Sequence, residues 1–202
     1  MTTKSSPYYR SANLIRVLRK IHRTIAIFLF AFFLVVSITG LLLGWKKNSW
    51  GLILPPTSKG ISPDLKTWLP FDSLQTIAIK TLHDSVSPEL STELERIDAR
   101  PQKGMVKFVF ADDYWEVQLD GTTGKVLLVA RRRSDIIEHI HDGTILDVLF
   151  NTKKDQFKLS YTTIMGLSLL MLTLSGFWLW YGPKRLRKKK RMDHEASAPA
   201  GQ

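Results

Sequence analysis

Two long apolar stretches interrupt the mixed polarity of this chain. Residues 24–45 and 159–183 contain no charged side chain and are 22 and 25 residues long. At a helical rise of about 1.5 Å per residue, each stretch can cross a hydrocarbon core of about 30 Å. The pattern predicts two transmembrane helices on either side of the polar segment 46–158.

The first part of that polar segment indicates a linker followed by a helix. Residues 51–70 are rich in Pro and Gly, which is typical of a linker that frees a domain from the membrane. Apolar residues then recur at helical spacing from Leu74 to Leu82, and Asp72 begins a stretch with capping-box spacing. The sequence therefore predicts a helix over 72–84.

The next part alternates between apolar and polar residues, which is the pattern of β-strands. It predicts three or four antiparallel strands, at 105–110, 114–120 and 125–130 and, with a weaker pattern, at 94–100. In the third strand, alternation places Trp115 and Val117 inward, whereas Glu116 and Asp120 are expected outward or in a turn. One helix and such a meander form a small α+β domain.

A further helix is predicted after the sheet. Ser134 is a candidate N-cap, and the helix is expected to reach residue 150 with an interruption at Gly143. Its apolar residues suit a helix on the membrane surface.

The predicted fold class is an α+β membrane protein, with two transmembrane helices and an extracytoplasmic domain of one helix and an antiparallel sheet. Its segments are a basic interfacial helix (1–23), transmembrane helix 1 (24–45), a linker (46–70), the α+β domain (71–131), an interfacial helix (134–150), transmembrane helix 2 (159–183) and a basic tail (184–202).

The net charge of +11 lies at the outer ends of the two apolar stretches. Residues 1–23 contain six basic and no acidic side chains, and residues 184–202 contain seven basic and two acidic ones. The central segment 46–158 is neutral, with 16 of each sign. Because basic flanks stay on the cytoplasmic side, both termini are predicted to be cytoplasmic in a bacterial plasma (inner) membrane. The lipid bilayer is the expected partner, and nucleic acid is not.

Cysteine is absent from the chain. Its absence excludes disulfides, thiolate-ligated iron–sulfur clusters and covalently attached c-type haem. The sequence offers no Ser/His/Asp arrangement, phosphate-binding loop or dinucleotide fingerprint, so no catalytic residue and no metal site are predicted. Whether the protein is an enzyme stays open. A b-type haem held by two histidines is the common redox scheme that needs no thiol, with methionine ligation as a weaker option.

Several motifs, taken in order, resemble the PepSY domain and the PepSY-associated transmembrane helix family. They are the hairpin Trp115-Glu-Val-Gln-Leu-Asp-Gly-Thr-Thr-Gly124, the helix before it, His22-Arg23 before a helix ending in Thr39-Gly40, and His141-Asp-Gly143 before a helix ending in Ser175-Gly176. The resemblance covers roughly residues 16–184. Ala26 stands where the family has a Gly four residues after the first His.

The resemblance implies a periplasm-facing PepSY module on membrane helices, in proteins often linked to iron uptake. Some larger members are haem-containing ferric-siderophore reductases with four or more spans, whereas this chain has two. The function expected on this basis is a haem-linked electron-transfer or iron-uptake accessory. The alternative is a non-catalytic PepSY interaction or regulatory module for an extracytoplasmic partner such as a peptidase.

His22 and His141 are the candidate haem ligands, chiefly because they occupy the family-like positions. His139 is the alternative to His141, since the two lie 200° apart on a helix and only one can face a bundle. The face of His22 also carries Ala26 and Gly40, so it equally suits close helix packing without haem.

The predicted topology places His22 and His141 about 30 Å apart across the membrane. One haem cannot join them within a monomer. A homodimer or larger membrane complex would have to complete the ligand set, or no haem is bound.

Overall fold

The computed structural model describes residues 7–111, 113–150, 152 and 155–197, with side chains from residue 13 to residue 192 within those ranges. The helices are α1 (Pro7–Gly44), α2 (Phe71–Ser85), α3 (Arg133–Asp142), α4 (Thr144–Leu149) and α5 (Gln156–Ser197). The strands are β1 (Leu94–Arg100), β2 (Met105–Phe110), β3 (Trp115–Asp120) and β4 (Val126–Arg131). The chain forms two compact units, which we name the helical unit (the described parts of Met1–Ser37 and Leu146–Gln202) and the sheet unit (Ile38–Ile145).

Both predicted apolar helices are present. Asn13–Gly44 and Gln156–Met192 are long and apolar enough to cross a membrane, and only 11% and 6% of their most apolar windows are buried. A core helix of a water-soluble protein would bury one apolar stripe and expose a polar face. Here apolar side chains such as Phe28 and Leu170 lie exposed, which suits contact with lipid.

The second apolar helix continues through Pro183 into the basic tail. α5 runs from Gln156 to Ser197, so the described part of the tail is helical rather than irregular. In the helical unit, Asp147 of α4 caps the start of this helix, because its carboxylate accepts hydrogen bonds from the backbone N–H groups of Phe157 (3.1 Å) and Lys158 (2.8 Å). Burial alone would raise the pKa of Asp147, but these bonds and the Thr152 hydroxyl hold it below its ordinary value.

The sheet unit is an antiparallel meander in the order β1-β2-β3-β4, as predicted. One row of apolar residues crosses all four strands, in which Ile97 pairs with Phe108, Phe108 with Val117, and Val117 with Val129. α2 covers this face through Leu74, Ala78 and Leu82, which are fully buried against the sheet. The α+β fold is thereby confirmed.

The opposite face of the sheet is covered by the segment that composition indicated as a linker. Gln118 Oε1 accepts from Ser58 N (2.9 Å), and its amide nitrogen donates to the Pro56 carbonyl (2.8 Å). Gly60 N donates to the Lys103 carbonyl at 2.7 Å. A Cβ at Gly60 would overlap the Gly104 carbonyl, so only glycine permits this approach. The segment therefore does not free the domain but forms its second layer.

This layer also corrects the expectation for the polar residues of β3. Glu116 is fully buried and Asp120 is 1% exposed, although alternation placed both outward. They do face away from α2, but on that side Arg132 donates to Glu116 and the backbone N–H of Ile61 donates to Asp120.

Two predicted helix caps are not formed. The N-cap of α2 is Pro70, and Asp72 lies within the first turn, where its carboxylate accepts from Ser73 N instead. α3 begins at Arg133, so Ser134 is its second residue and donates its hydroxyl to Asp135. The predicted interruption at Gly143 is confirmed, since that residue ends α3 in a left-handed conformation (φ 83°).

Candidate functional site

His22 forms the first part of the site, in the helical unit. Its Nδ1 lies 2.8 Å from Ser175 Oγ, across the interface between α1 and α5. Gly176 follows Ser175, and a Cβ added there would lie 3.5 Å from His22 Cε1. The imidazole therefore packs directly against the backbone of Gly176. A hydroxyl residue and a glycine thus hold one edge of the ring.

Ser175 has a second hydrogen-bond partner besides His22. Its oxygen lies 2.6 Å from the carbonyl of Met171, one turn earlier in α5. A serine hydroxyl that donates its one hydrogen to a carbonyl can accept only from an imidazole that carries a proton on Nδ1. A neutral imidazole of that tautomer has its lone pair on Nε2, which is the form that binds iron.

An open groove runs beside His22 on α1. It has a volume of about 510 Å³ and is lined by His22, Arg23, Ala26, Ile27 and Phe30. Three of the five are apolar, and Ala26 keeps the position four residues after His22 small. The groove therefore offers an apolar surface next to an imidazole.

His141 forms the second part of the site, in the sheet unit. Its Nδ1 lies 2.8 Å from Thr39 Oγ1, and Thr39 is 7% exposed. A Cβ added at Gly40 would lie 3.4 Å from His141 Cε1. The second histidine thus has the same two neighbours as the first, a hydroxyl residue and the glycine that follows it.

The sequence placed each histidine in the same motif as the hydroxyl–glycine pair of its own span. The structure exchanges these partners, so that His22 meets Ser175-Gly176 and His141 meets Thr39-Gly40. The likeness of the two dipeptides was the only signal for this arrangement, and it does not reveal which helix pairs with which.

His139 has a different environment from His141. Its Nδ1 lies 2.9 Å from the Tyr114 hydroxyl, and the two rings meet edge to face with centroids 5.2 Å apart. The predicted divergence of the two histidines on one helix is therefore observed. Burial, together with nearby Asp135, raises the pKa of Tyr114 above its ordinary value, so Tyr114 stays protonated at neutral pH.

A buried ion network holds the start of α3, the helix that carries His141. Arg132 donates to Glu116 Oε2 (2.7 Å) and to both oxygens of Asp135 (2.7 and 3.1 Å). Lys107 lies 3.4 Å from the second Glu116 oxygen. The sequence does not predict this network, because a run of three arginines after a strand is typical of a solvated turn.

The network changes the proton affinity of its members. Burial alone would lower the pKa of Arg132, but its bonds to Asp135 and Glu116 raise it. Burial would likewise raise the pKa of Asp135, and Arg132 holds it below the ordinary value. The pKa of Lys107 is lowered, because the cost of burial exceeds the attraction of Glu116. Arg132 and Asp135 are therefore ionised at neutral pH.

The structure brings together no group of three or more His, Asp or Glu side chains that could hold a metal ion, within the part of the chain it describes. The candidate chemistry rests on the two separate imidazoles.

Comparison with known proteins gives one result that bears on this site. The family model described as the PepSY-associated TM region matches residues 19–197, which include both histidines and both hydroxyl–glycine pairs. No curated protein and no solved structure matches the chain.

Proposed function

The chain belongs to the PepSY-associated TM region family, and we propose that it is a haem-linked electron-transfer accessory of a bacterial plasma membrane, acting in iron uptake. Both termini are cytoplasmic in this proposal, because basic flanks favour the cytoplasmic side and the central segment 46–158 has no net charge that favours it. The membrane-associated nature of the protein follows from the family and the two apolar helices.

The observation that carries the proposal is the hydrogen bond between His22 Nδ1 and Ser175 Oγ. It fixes the ring orientation and engages Nδ1, so that Nε2 is the nitrogen left to hold an iron, as in metal-bound histidines whose other nitrogen is hydrogen-bonded. The apolar groove beside His22 suits the face of a porphyrin. The residues present therefore fit one half of a bis-histidine haem site.

His141 is proposed as a ligand at a separate position, because Thr39 and Gly40 surround it as Ser175 and Gly176 surround His22. His139 is less suitable, since its ring is held by the Tyr114 hydroxyl in the sheet unit. A bound b-type haem would supply one-electron transfer between ferric and ferrous iron. The protein's own residues would orient the imidazoles and exclude water from them.

Each histidine offers one imidazole, so a bis-histidine site needs another. Because the predicted topology separates His22 from His141, we propose that a second copy of the chain pairs with the first across a two-fold axis in a homodimer, so that each histidine meets the same histidine of the second copy. The mass of the purified protein in detergent, measured by light scattering, tests this part.

The absorption spectrum of dithionite-reduced protein tests the proposal. We expect a Soret band in protein purified after expression with ample haem, a weaker band in His22→Ala and in His141→Ala, and its loss when both substitutions are combined. His83→Ala and His139→Ala are matched controls, because those rings bond to the Leu90 carbonyl and to Tyr114. Wild-type protein without a Soret band would overturn the haem proposal and favour the partner-binding PepSY module.

A further inference from the structure

A pocket of about 260 Å³ lies between α1 and α5 in the helical unit, at the level where apolar sequence gives way to basic sequence. Leu14 and Ile15 of α1 form one wall. Trp178, Gly182 and Leu186 of α5 form the other, with the two cations Arg185 and Lys189. We propose that this pocket binds the headgroup of an anionic phospholipid.

The charge of the pocket fits a phosphate diester. Arg185 and Lys189 are one helical turn apart on α5, so both reach the same side of the helix. Among the residues whose side chains the structure describes, the lining contains no acidic one to neutralise them. The N-terminal segment 1–23 contains no acid either, so the α1 side of the pocket brings no countercharge.

Gly182 creates the space at the base of the pocket. A Cβ at this position would lie 3.2 Å from Ile15 Cδ1 and 3.6 Å from Trp178 Nε1. The first distance is tighter than ordinary van der Waals contact, so a larger side chain would fill the pocket. Because Trp178 Nε1 borders the same space, its N–H can donate to an ester or phosphate oxygen.

The pocket suits a lipid better than free phosphate because it is amphiphilic. Leu14 is 51% exposed and lies beside the cations, where it can contact an acyl chain. The apolar stretch of α5 ends at Pro183, and the basic run begins at Lys184. That boundary is the depth at which phospholipid phosphates lie, and basic pockets between membrane helices there bind anionic headgroups.

Native mass spectrometry of the full chain in detergent, titrated with phosphatidylglycerol, tests the proposal. Arg185→Gln with Lys189→Gln is expected to weaken binding about 30-fold, the equivalent of about 2 kcal/mol for two basic residues. Lys188→Gln with Lys190→Gln removes the same charge outside the pocket and is expected to change binding less than about 3-fold, since surface attraction is diffuse. Equal losses in the two double variants would overturn the proposal.

A variant that keeps every charge separates shape from charge. Gly182→Leu is expected to abolish saturable phosphatidylglycerol binding, whereas Gly166→Leu, at a position with nothing within 4 Å, is not. A thermal midpoint close to that of the wild type shows that each variant is folded. Unchanged lipid binding in folded Gly182→Leu would contradict the assignment.

Two competing ligands test whether the pocket needs an anionic headgroup and whether it needs a whole lipid. Phosphatidylcholine, which has no net charge, is expected not to compete with phosphatidylglycerol. Excess inorganic phosphate is also expected not to displace it, because phosphate has no acyl chain to contact the apolar wall and can use only the two cations. Displacement by phosphate would identify a simple anion site instead, and none of these outcomes depends on haem.

Discussion

His141 Nδ1 lies 2.8 Å from Thr39 Oγ1, although 102 residues separate them in the sequence. The same distance joins His22 Nδ1 to Ser175 Oγ, across 153 residues. In both pairs a glycine follows the hydroxyl residue and lies against the Cε1 edge of the ring. One local arrangement therefore positions two imidazoles on two different helices, and it is the feature most open to mutational test.

Removing the hydroxyl should loosen each histidine. Thr39→Val keeps the shape of the side chain but loses the bond to His141, which we expect to cost about 1 kcal/mol of stability. Ser175→Ala should cost a similar amount through His22. Ser37→Ala is the control, since the exposed Ser37 hydroxyl donates only to the Phe33 carbonyl of its own helix. Thermal unfolding in detergent measures the effect, and an equal shift in all three variants would contradict it.

Filling the glycine positions should displace the rings. At Gly40 a Cβ alone already reaches contact distance from His141, so the γ carbons of Gly40→Val have no room. We expect a loss of about 1–3 kcal/mol, as is usual for overpacking. Gly44→Val is the matched control in the same helix, because nothing lies within 4 Å of that position. The measurement is again the thermal midpoint, and comparable midpoints in the two variants would contradict the close contact.

The regular elements could be predicted from the sequence because their signals are local. Alternation over a few residues is sufficient to predict β2 and β3, and the apolar spacing from Leu74 to Leu82 is sufficient for α2. The helix caps were harder to predict. Pro70 is the N-cap of α2 and makes no side-chain hydrogen bond, so the helix starts without a cap from the side chain of Asp72.

The second layer of the sheet unit could not be predicted, because it depends on contacts between distant residues. Gln118 bonds to Pro56 and Ser58, which lie about 60 positions earlier in the chain. Composition describes residues 51–70 correctly as irregular, but it cannot reveal that their backbone covers polar side chains. For the same reason, the sequence could not predict which hydroxyl–glycine pair each histidine contacts, because that depends on which helices pack together.

The ion network that holds α3 should be essential for the stability of the sheet unit. Arg132→Met leaves Glu116 and Asp135 without their main partner, and we expect a loss of about 3–5 kcal/mol. Arg133→Met is the control, since Arg133 is exposed and its contact to the Leu52 carbonyl is 3.5 Å long. Urea unfolding followed by tryptophan fluorescence measures both, with Trp115 as a probe in β3.

Neutralising Glu116, which loses its partner in Arg132→Met, provides a second check on the same network. If the cost of Arg132→Met comes from uncompensated charge, adding Glu116→Gln should recover part of it, because a neutral amide is cheaper to bury than a carboxylate. A double variant less stable than the additive sum of the two single substitutions would show that packing, not charge, dominates.

Asp120 should make the sheet unit sensitive to acid. Its Oδ1 accepts from Thr122 N and Thr123 N, and its Oδ2 accepts from Ile61 N. Burial alone would raise the pKa of Asp120, but these bonds outweigh it and hold the pKa below its ordinary value. In the unfolded chain the same carboxyl has a pKa of about 3.9. The ionised form therefore contributes fully to stability above about pH 5, and the contribution is lost as pH falls through the lower pKa of the folded state.

Asp120→Asn isolates this contribution. We expect it to lower the free energy of unfolding at neutral pH by about 2 kcal/mol, because an amide is a weaker acceptor than a carboxylate and cannot replace all these bonds. Between about pH 5 and pH 3, the stability of the variant should fall less steeply than that of the wild type. Asp84→Asn, at an exposed position, is the control and should follow the wild-type curve. Urea unfolding at each pH measures the difference, and parallel curves for Asp120→Asn and wild type would show that the Asp120 carboxylate is not what acid disrupts.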